Sequence, residues 1–199
     1  MPSLLHSLAG AFVHALAGAL ACALAGALGA SSAGAQARPF GVGRVARPAE
    51  VRARDISVAP DGTGLPRGRG SVAEGRVLYR RQCAMCHGDQ GIPSGPQAAA
   101  QYPVLVGGFG TLTTPSPVQT VGSFWPYATT VWDYIHRAMP YQRPGTLRAN
   151  EVYALTAYLL YLNHIVPRTA ELSETTLPSI RMPNRDGFVS DPRPDVGVP

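Results

Sequence analysis

Cysteine is scarce in this sequence of 199 residues, which contains only three. Cys22 lies in an apolar N-terminal segment that we expect to be removed, so the mature chain keeps Cys83 and Cys86. Two thiols cannot build the disulfide framework of a small secreted protein, nor a zinc site of four thiolates. The chemistry of these cysteines must therefore involve their neighbours.

Lysine is absent, and arginine supplies all 17 basic residues. No run of arginines is interleaved with aromatic residues and the formal net charge of +5 is moderate, so we expect no nucleic-acid partner. That charge does permit docking on an acidic protein surface. Internal repeats and a second cysteine pair are also missing. With 22 Gly and 19 Pro, the chain is predicted to contain much loop and little regular structure.

The N-terminus indicates export. Residues 4–30 are almost wholly Ala, Leu and Gly, and Ala35-Gln36-Ala37 forms an A-x-A cleavage site. We expect residues 1–37 to be a signal peptide that directs the protein to the periplasm. Because no Arg or Lys precedes the apolar run, an uncleaved membrane anchor is the alternative, and only then would the protein contact a membrane.

Three further segments follow the signal peptide. Residues 38–70 are rich in Arg, Gly and Pro without apolar periodicity, which predicts an extended arm, either solvated or laid on a partner. Residues 71–166 carry helical patterns and form the predicted domain. Residues 167–199 are a proline-rich tail that we expect to wrap the domain or extend onto a partner.

The predicted domain contains three clear helical patterns. Their predicted N-terminal caps are Ser71 with Glu74, Thr130 with Asp133, and Asn150. The second helix must end at Met139-Pro140, since proline lacks a backbone donor. A core of three or four short helices joined by one long loop is small, so we expect something other than side chains to fill its centre.

The motif Cys83-Ala84-Met85-Cys86-His87 is the C-x-x-C-H attachment signature of c-type haem. Thiols one helical turn apart can reach the two vinyl groups of one porphyrin edge, and the adjacent histidine supplies a nitrogen to iron. A zinc site would need a fourth ligand, and a thioredoxin-like dithiol would need a strand before the motif. We predict one covalently bound haem c, attached to Cys83 and Cys86, with His87 as the proximal ligand of the iron.

The distal side of the iron needs a second ligand. The candidates are Met85, Met139, Met182, His136 and His164. We predict Met139, because it lies at a helix end just before a proline and its thioether suits an electron-transfer iron. Met85 lies within the attachment motif on the proximal side, so it cannot reach across the ring.

Between about Ser71 and Val166 the sequence resembles the class I cytochromes c, through GRVLYRRQCAMCHG, a Met-Pro pair and a final aromatic helix. The resemblance implies an all-α fold of three to five short helices around one haem, here with extended N- and C-terminal arms. In that family the first and last helices cross at a glycine and an aromatic residue. The matching residues are Gly75 and Tyr79, with Ala154, Ala157 and Tyr158 as candidate partners. A proline carbonyl beyond the motif usually supports the proximal histidine, for which Pro93 and Pro96 are the candidates.

A narrower resemblance extends over about residues 71–190. The stretches TVGSFWPYATTVWDYIHRAMPYQRPGTL, NEVYALTAYLLYLN and RMPNRDGFV are similar to cytochrome subunits of periplasmic molybdenum-dependent sulfite or sulfane-sulfur dehydrogenases. The resemblance implies a molybdopterin partner subunit that oxidises a sulfur species. This chain would be non-catalytic and would pass single electrons to a soluble acceptor, such as another cytochrome c or an oxidase. Its single haem motif favours the monohaem sulfite-oxidising type.

Two other function classes remain open from the sequence. A stand-alone soluble electron shuttle would need no fixed partner, and a haem enzyme of the peroxidase type would need an open distal site. Several side chains near the predicted haem could line its pocket, meet a partner or neutralise its propionates: Trp125, Tyr127, Trp132, Arg137 and Arg143.

Overall fold

A computed structural model describes residues 42–190. The predicted signal peptide, residues 38–41 of the predicted arm and residues 191–199 of the tail lie outside the described residues. The chain divides into two units, residues 1–48 and 49–199. Of the first unit, residues 42–48 are described, and their side chains are exposed. Within residues 42–190, no helix has the length and apolar character needed to span a bilayer.

The second unit is rich in helices, as predicted. The helices of the described residues are α1 (Pro48–Arg54), whose first residue belongs to the first unit, α2 (Val72–Gln82), α3 (Ala84–His87), α4 (Pro96–Gln101), α5 (Ala128–Ala138) and α6 (Ala149–Leu162). Two short strands, β1 (Arg69–Ser71) and β2 (Glu171–Ser173), pair antiparallel, and a 3-10 turn covers Leu177–Ser179. The small sheet, which the sequence analysis did not predict, joins the end of the N-terminal arm to the beginning of the tail.

Helix α6 forms the centre of the core. Its residues 152–160 are all buried, although a surface helix buries only one face. Coverage on every side explains this burial: α2, α5 and the two strands pack around α6, while Leu155 and Leu159 line a cavity described below. The near-continuous apolar sequence of α6 therefore follows from its central position.

Helices α2 and α6 cross at Gly75, as the family resemblance implied. A Cβ atom added at Gly75 would lie 1.9 Å from the carbonyl oxygen of Ala154 and 2.8 Å from Cβ of Tyr158. One turn further along α2, the rings of Tyr79 and Tyr158 pack with their centroids 5.3 Å apart. Glycine is thus required because the two backbones are in contact.

Replacing Gly75 with alanine should lower the free energy of unfolding by about 3 kcal/mol or more, because the helices must separate to admit the methyl group. The measurement is chemical denaturation of the haem-loaded protein. Ala73→Val, which adds volume on the exposed side of the same helix, is the control and should cost less than about 1 kcal/mol. A Gly75→Ala variant as stable as this control would contradict the close contact.

One of the three predicted helix caps is confirmed. Glu74 N–H donates to Ser71 Oγ at 3.3 Å and Ser71 N–H donates to the Glu74 carboxylate at 2.8 Å, which completes the capping box. The predicted cap at Asn150 is wrong: α6 begins at Ala149, and Asn150 Oδ1 accepts the Arg69 N–H at 3.0 Å.

The predicted cap of Thr130 with Asp133 is also wrong. Helix α5 begins at Ala128, and the Thr130 hydroxyl donates to the Tyr127 carbonyl at 2.9 Å. Asp133 lies in the second turn, where its carboxylate accepts the Val58 N–H at 2.9 Å. A distant segment of the chain therefore uses an acid that local sequence would assign to a cap.

The second half of the predicted arm packs on the helices of its own domain. Val58 is buried, and the carbonyls of Pro60 and Pro66 accept hydrogen bonds from Thr129 and Tyr153, both at 2.9 Å. These contacts differ from the predicted solvated leader or partner-bound strand. Because the segment lacks apolar periodicity, its sequence does not indicate that backbone carbonyls and one buried valine anchor it to the domain.

The tail also packs on the domain. Leu172, Leu177 and Met182 are buried, and Asn184 Nδ2 donates to the Phe124 carbonyl at 2.8 Å. The described part of the tail therefore wraps the domain, which is one of the two arrangements predicted for it. Deleting residues 167–199 would remove part of the core, so a deletion cannot test partner binding alone.

Candidate cofactor site

A cavity of about 680 Å³ lies between the Cys83–His87 segment, loop 101–105 and helices α5 and α6. All four predicted site residues line it: Cys83, Cys86, His87 and Met139. Most of the remaining lining is apolar or aromatic, and the volume falls within the range of about 300–1,000 Å³ typical of cofactor sites. The sequence analysis predicted that something other than side chains would fill the core. The fold does leave a space of cofactor size there.

The two cysteines lie where α2 passes into α3. Cys83 N–H donates to the Tyr79 carbonyl at 2.8 Å, and His87 N–H donates to the Cys83 carbonyl at 2.9 Å. One helical turn therefore carries both thiols and the histidine along one wall of the cavity. The Tyr79 hydroxyl donates to the Gly88 carbonyl at 3.0 Å and fixes the end of this turn.

The Cys83 thiol does not suit a redox dithiol. The two cysteines are not joined in a disulfide, and burial, with a smaller contribution from Cys86, raises the pKa of the Cys83 thiol to about 12. Reactive dithiols need a lowered thiol pKa, because the thiolate is the nucleophile. The local environment of Cys83 favours a structural or cofactor-linked sulfur.

The ring of His87 is held in one orientation. Its Nδ1 lies 2.9 Å from the carbonyl oxygen of Pro103, which can only accept a hydrogen bond. Nδ1 must therefore carry the proton, which leaves the lone pair of Nε2 available to a metal. This arrangement is the one expected of a histidine ligand whose second nitrogen is fixed by the protein.

Pro103 replaces both candidates that the sequence analysis offered for this carbonyl. Neither Pro93 nor Pro96 provides it, because Pro96 begins α4 and the chain returns to the histidine only after that helix ends. The Leu105 N–H donates to the Gly91 carbonyl at 2.8 Å and closes this loop. The sequence does contain a signal for this outcome. The stretch PQAAAQ has the composition of a helix, so a proline that contacts the histidine must lie after it in the chain.

Among the five candidate distal ligands, all of them described, Met139 alone lines the cavity. Helix α5 ends at Ala138, and Met139 follows it in an extended conformation, packed against the core. Met85 is 90% exposed, and Met182 is buried away from the cavity. His136 and His164 do not line the cavity either.

The other side chains that the sequence suggested near the haem are placed differently. Trp125 lines the cavity, whereas Trp132 is fully buried outside it. Tyr127 lies under Arg185, whose guanidinium carbon is 4.0 Å from the ring centroid. Arg137 pairs with Asp133, so that guanidinium is already neutralised within α5.

The stretch FWPY and the tail motif RMPNRDGF contact each other. Tyr127 forms a β-bridge with Arg181, and the rings of Phe124 and Phe188 pack edge to face at 5.2 Å. Trp125, which lines the cavity, lies between these two contacts in the chain. The tail therefore supports one wall of the site, a role that the sequence analysis missed.

The sequence analysis also missed Asn163, whose side chain positions a loop that lines the cavity. Its side chain is 1% exposed, accepts the Gly107 N–H at 3.2 Å, and donates to the Leu105 and Leu159 carbonyls at 3.0 Å. This single amide joins the end of α6 to the loop whose Leu105 lines the cavity. A lone Asn at a helix end looks like an ordinary cap in sequence.

Asn163→Ala should lower the free energy of unfolding by about 2–3 kcal/mol, because backbone groups of the loop lose buried partners. Denaturant unfolding of the haem-loaded protein measures this loss. Gln97→Ala, on the exposed surface of α4, should change it by less than about 0.5 kcal/mol. Equal stability of the two variants would show that the loop does not depend on Asn163.

Comparisons with known proteins agree with this geometry. The family model described as cytochrome C oxidase, cbb3-type, subunit III, matches residues 70–159. No curated protein matches the chain significantly. Among solved structures, a chain of the sulfane dehydrogenase SoxCD from Paracoccus pantotrophus superposes with a TM-score of 0.67 at 45% identity, over 77% of this chain and 73% of that chain. Because such identity extends over most of both chains, the protein belongs to the class I c-type cytochromes, electron-transfer proteins that bind haem c covalently.

Proposed function

We propose that this cytochrome is the electron-accepting subunit of a periplasmic molybdenum-dependent dehydrogenase that oxidises a sulfur compound. The observation that supports this best is the 45% identity to a chain of a sulfane dehydrogenase over 77% of this sequence. That share is larger than the haem-binding region alone, which the family model matches over residues 70–159.

Cys83 and Cys86 would hold the haem through thioether bonds, and His87, through Nε2, and Met139 would bind its iron. Haem c supplies a one-electron redox centre when bound. Most of the cavity lining is apolar or aromatic, and a thioether ligand in such surroundings favours the reduced state, hence a raised potential. The Pro103 carbonyl keeps the imidazole of His87 oriented.

The chain would transfer electrons without catalysing the sulfur chemistry. The sulfur compound would be oxidised at the molybdenum of a partner subunit, and a soluble cytochrome or an oxidase would take the electrons. The single C-x-x-C-H motif supports one haem and, among these dehydrogenases, the sulfite-oxidising type. Residues 1–37 would direct export and then be cleaved, leaving the arm of residues 38–70, the domain of residues 71–166 and the tail of residues 167–199.

Affinity purification of the tagged cytochrome from its natural host tests this proposal. We expect a second subunit containing molybdenum to copurify, and sulfite or a sulfane-sulfur compound to reduce the haem of the complex. A monomer free of molybdenum, whose haem neither compound reduces in a periplasmic extract, would instead support the stand-alone electron shuttle.

The surface that meets the partner can be probed at the exposed end of the tail. Val189 is 90% exposed, so it can be changed without opening the core. Val189→Ser should weaken copurification if the tail extends onto the dehydrogenase, while the haem spectrum stays unchanged. Ser190→Ala is the neighbouring control.

A further inference from the structure

A second cavity, of about 560 Å³, lies along the exposed side of α2 and the C-terminal half of α6. It shares no lining residue with the haem cavity. Three arginines line it, and we call it the arginine groove: Arg76 and Arg80 come from α2, and Arg168 follows α6. Residues four apart on a helix lie on the same face, so the α2 arginines point to one wall of the groove.

Within residues 42–190, these arginines have no acidic partner. None of the three forms an ion pair or donates a hydrogen bond to another residue in the part of the chain that the structure describes. Three other arginines, by contrast, each pair with a carboxylate. Like charges held together raise the energy of a surface, and an anionic ligand relieves that repulsion.

The floor of the groove is partly apolar and aromatic. Tyr158 and Tyr161 stack on each other with their ring centroids 6.3 Å apart, and Val77 is 49% exposed beside them. Burial raises the pKa of the Tyr158 hydroxyl and Asp89 adds to this effect, while Arg76 and Arg80 oppose it. Asp89 is thus an acid near the groove, and against three arginines it leaves an excess of positive charge.

We infer that the arginine groove docks an acidic, extended segment of a partner protein. Guanidinium groups bind carboxylates in bidentate pairs, and three of them on two chain segments match carboxylates spaced along a peptide. A single small oxyanion would occupy little of a 560 Å³ groove and would leave the tyrosines and Val77 uncovered. This inference does not depend on which protein delivers electrons to the haem.

The test uses two synthetic peptides and the haem-loaded full chain. One peptide alternates glutamate with leucine, and the other has glutamine in place of every glutamate. The triple variant Arg76→Gln/Arg80→Gln/Arg168→Gln removes the groove's charge, and Arg52→Gln/Arg54→Gln/Arg67→Gln makes the same change of net charge at exposed positions elsewhere. Titration calorimetry at low salt gives the affinity of each pair.

We expect the acidic peptide to bind the wild-type protein and the control variant equally, and the groove variant roughly tenfold more weakly, because three exposed guanidinium–carboxylate pairs are lost. Added salt should weaken the binding. Equal affinity for the groove and control variants, or equal affinity for the two peptides, would overturn the inference. Inorganic sulfate that displaces the peptide at an equal concentration would show a small-oxyanion site and overturn it too.

Discussion

Replacing both Cys83 and Cys86 with alanine is expected to leave a colourless, largely unfolded chain. Without thioether bonds only His87 and Met139 would hold the haem, so we expect it to be lost during export and purification and the cavity of about 680 Å³ to lose its occupant. At about 24 cal/mol per Å³, a dry void of that size would cost about 16 kcal/mol, an upper bound because the walls collapse and water enters. The whole stability of a domain is only about 5–15 kcal/mol, so even half of that cost would remove most of it and leave the chain largely unfolded.

The covalent bond is measured by extracting the purified protein with acidified acetone and following the pigment that stays with the polypeptide. Circular dichroism then reports the helix content. Met85→Ala is the matched control, since it lies between the two cysteines and is 90% exposed. Haem that remains bound to the double variant after extraction would show that other residues hold the cofactor.

The packing of α2 on α6 could be predicted because it rests on residues whose local pattern and family resemblance agree. The contact at Gly75 and the capping box at Ser71 follow from neighbours a few residues apart or from a motif that needs a fixed spacing. The gathering of Cys83, Cys86, His87 and Met139 around one cavity follows from the same attachment motif and from the helix end at Met139.

Contacts made across long stretches of chain could not be predicted. Rules based on neighbouring sequence would not choose the partners of three polar groups. The Asp133 carboxylate accepts the Val58 N–H and the Asn150 side chain accepts the Arg69 N–H. The Pro103 carbonyl lies against the ring nitrogen of His87. In each case a backbone group from a loop or arm that lacks periodicity meets a polar side chain of the domain. Such pairings depend on where the chain returns in space, which the periodicity of a helix does not encode.

Replacing Met139 with leucine should remove the sulfur from the haem pocket while almost preserving side-chain volume. If Met139 is the distal ligand, the oxidised variant will lose the weak charge-transfer band of methionine-bound ferric haem at the red end of the visible spectrum. Its midpoint potential should fall by on the order of 0.2 V, because the axial ligand is a main determinant of haem potential. The reduced variant should also bind carbon monoxide, which the wild-type protein should exclude.

Met182→Leu is the matched control for this prediction, because the same chemical change is made at a buried methionine that does not line the cavity. It should keep the charge-transfer band, the potential and the resistance to carbon monoxide. Met139→His should close the iron again without the band, at a lower potential than the wild type. If the band survives in Met139→Leu and disappears in Met182→Leu, the ligand is Met182. The tail would then have to leave its buried position in the haem-loaded protein, and its support of Trp125 would be lost as well.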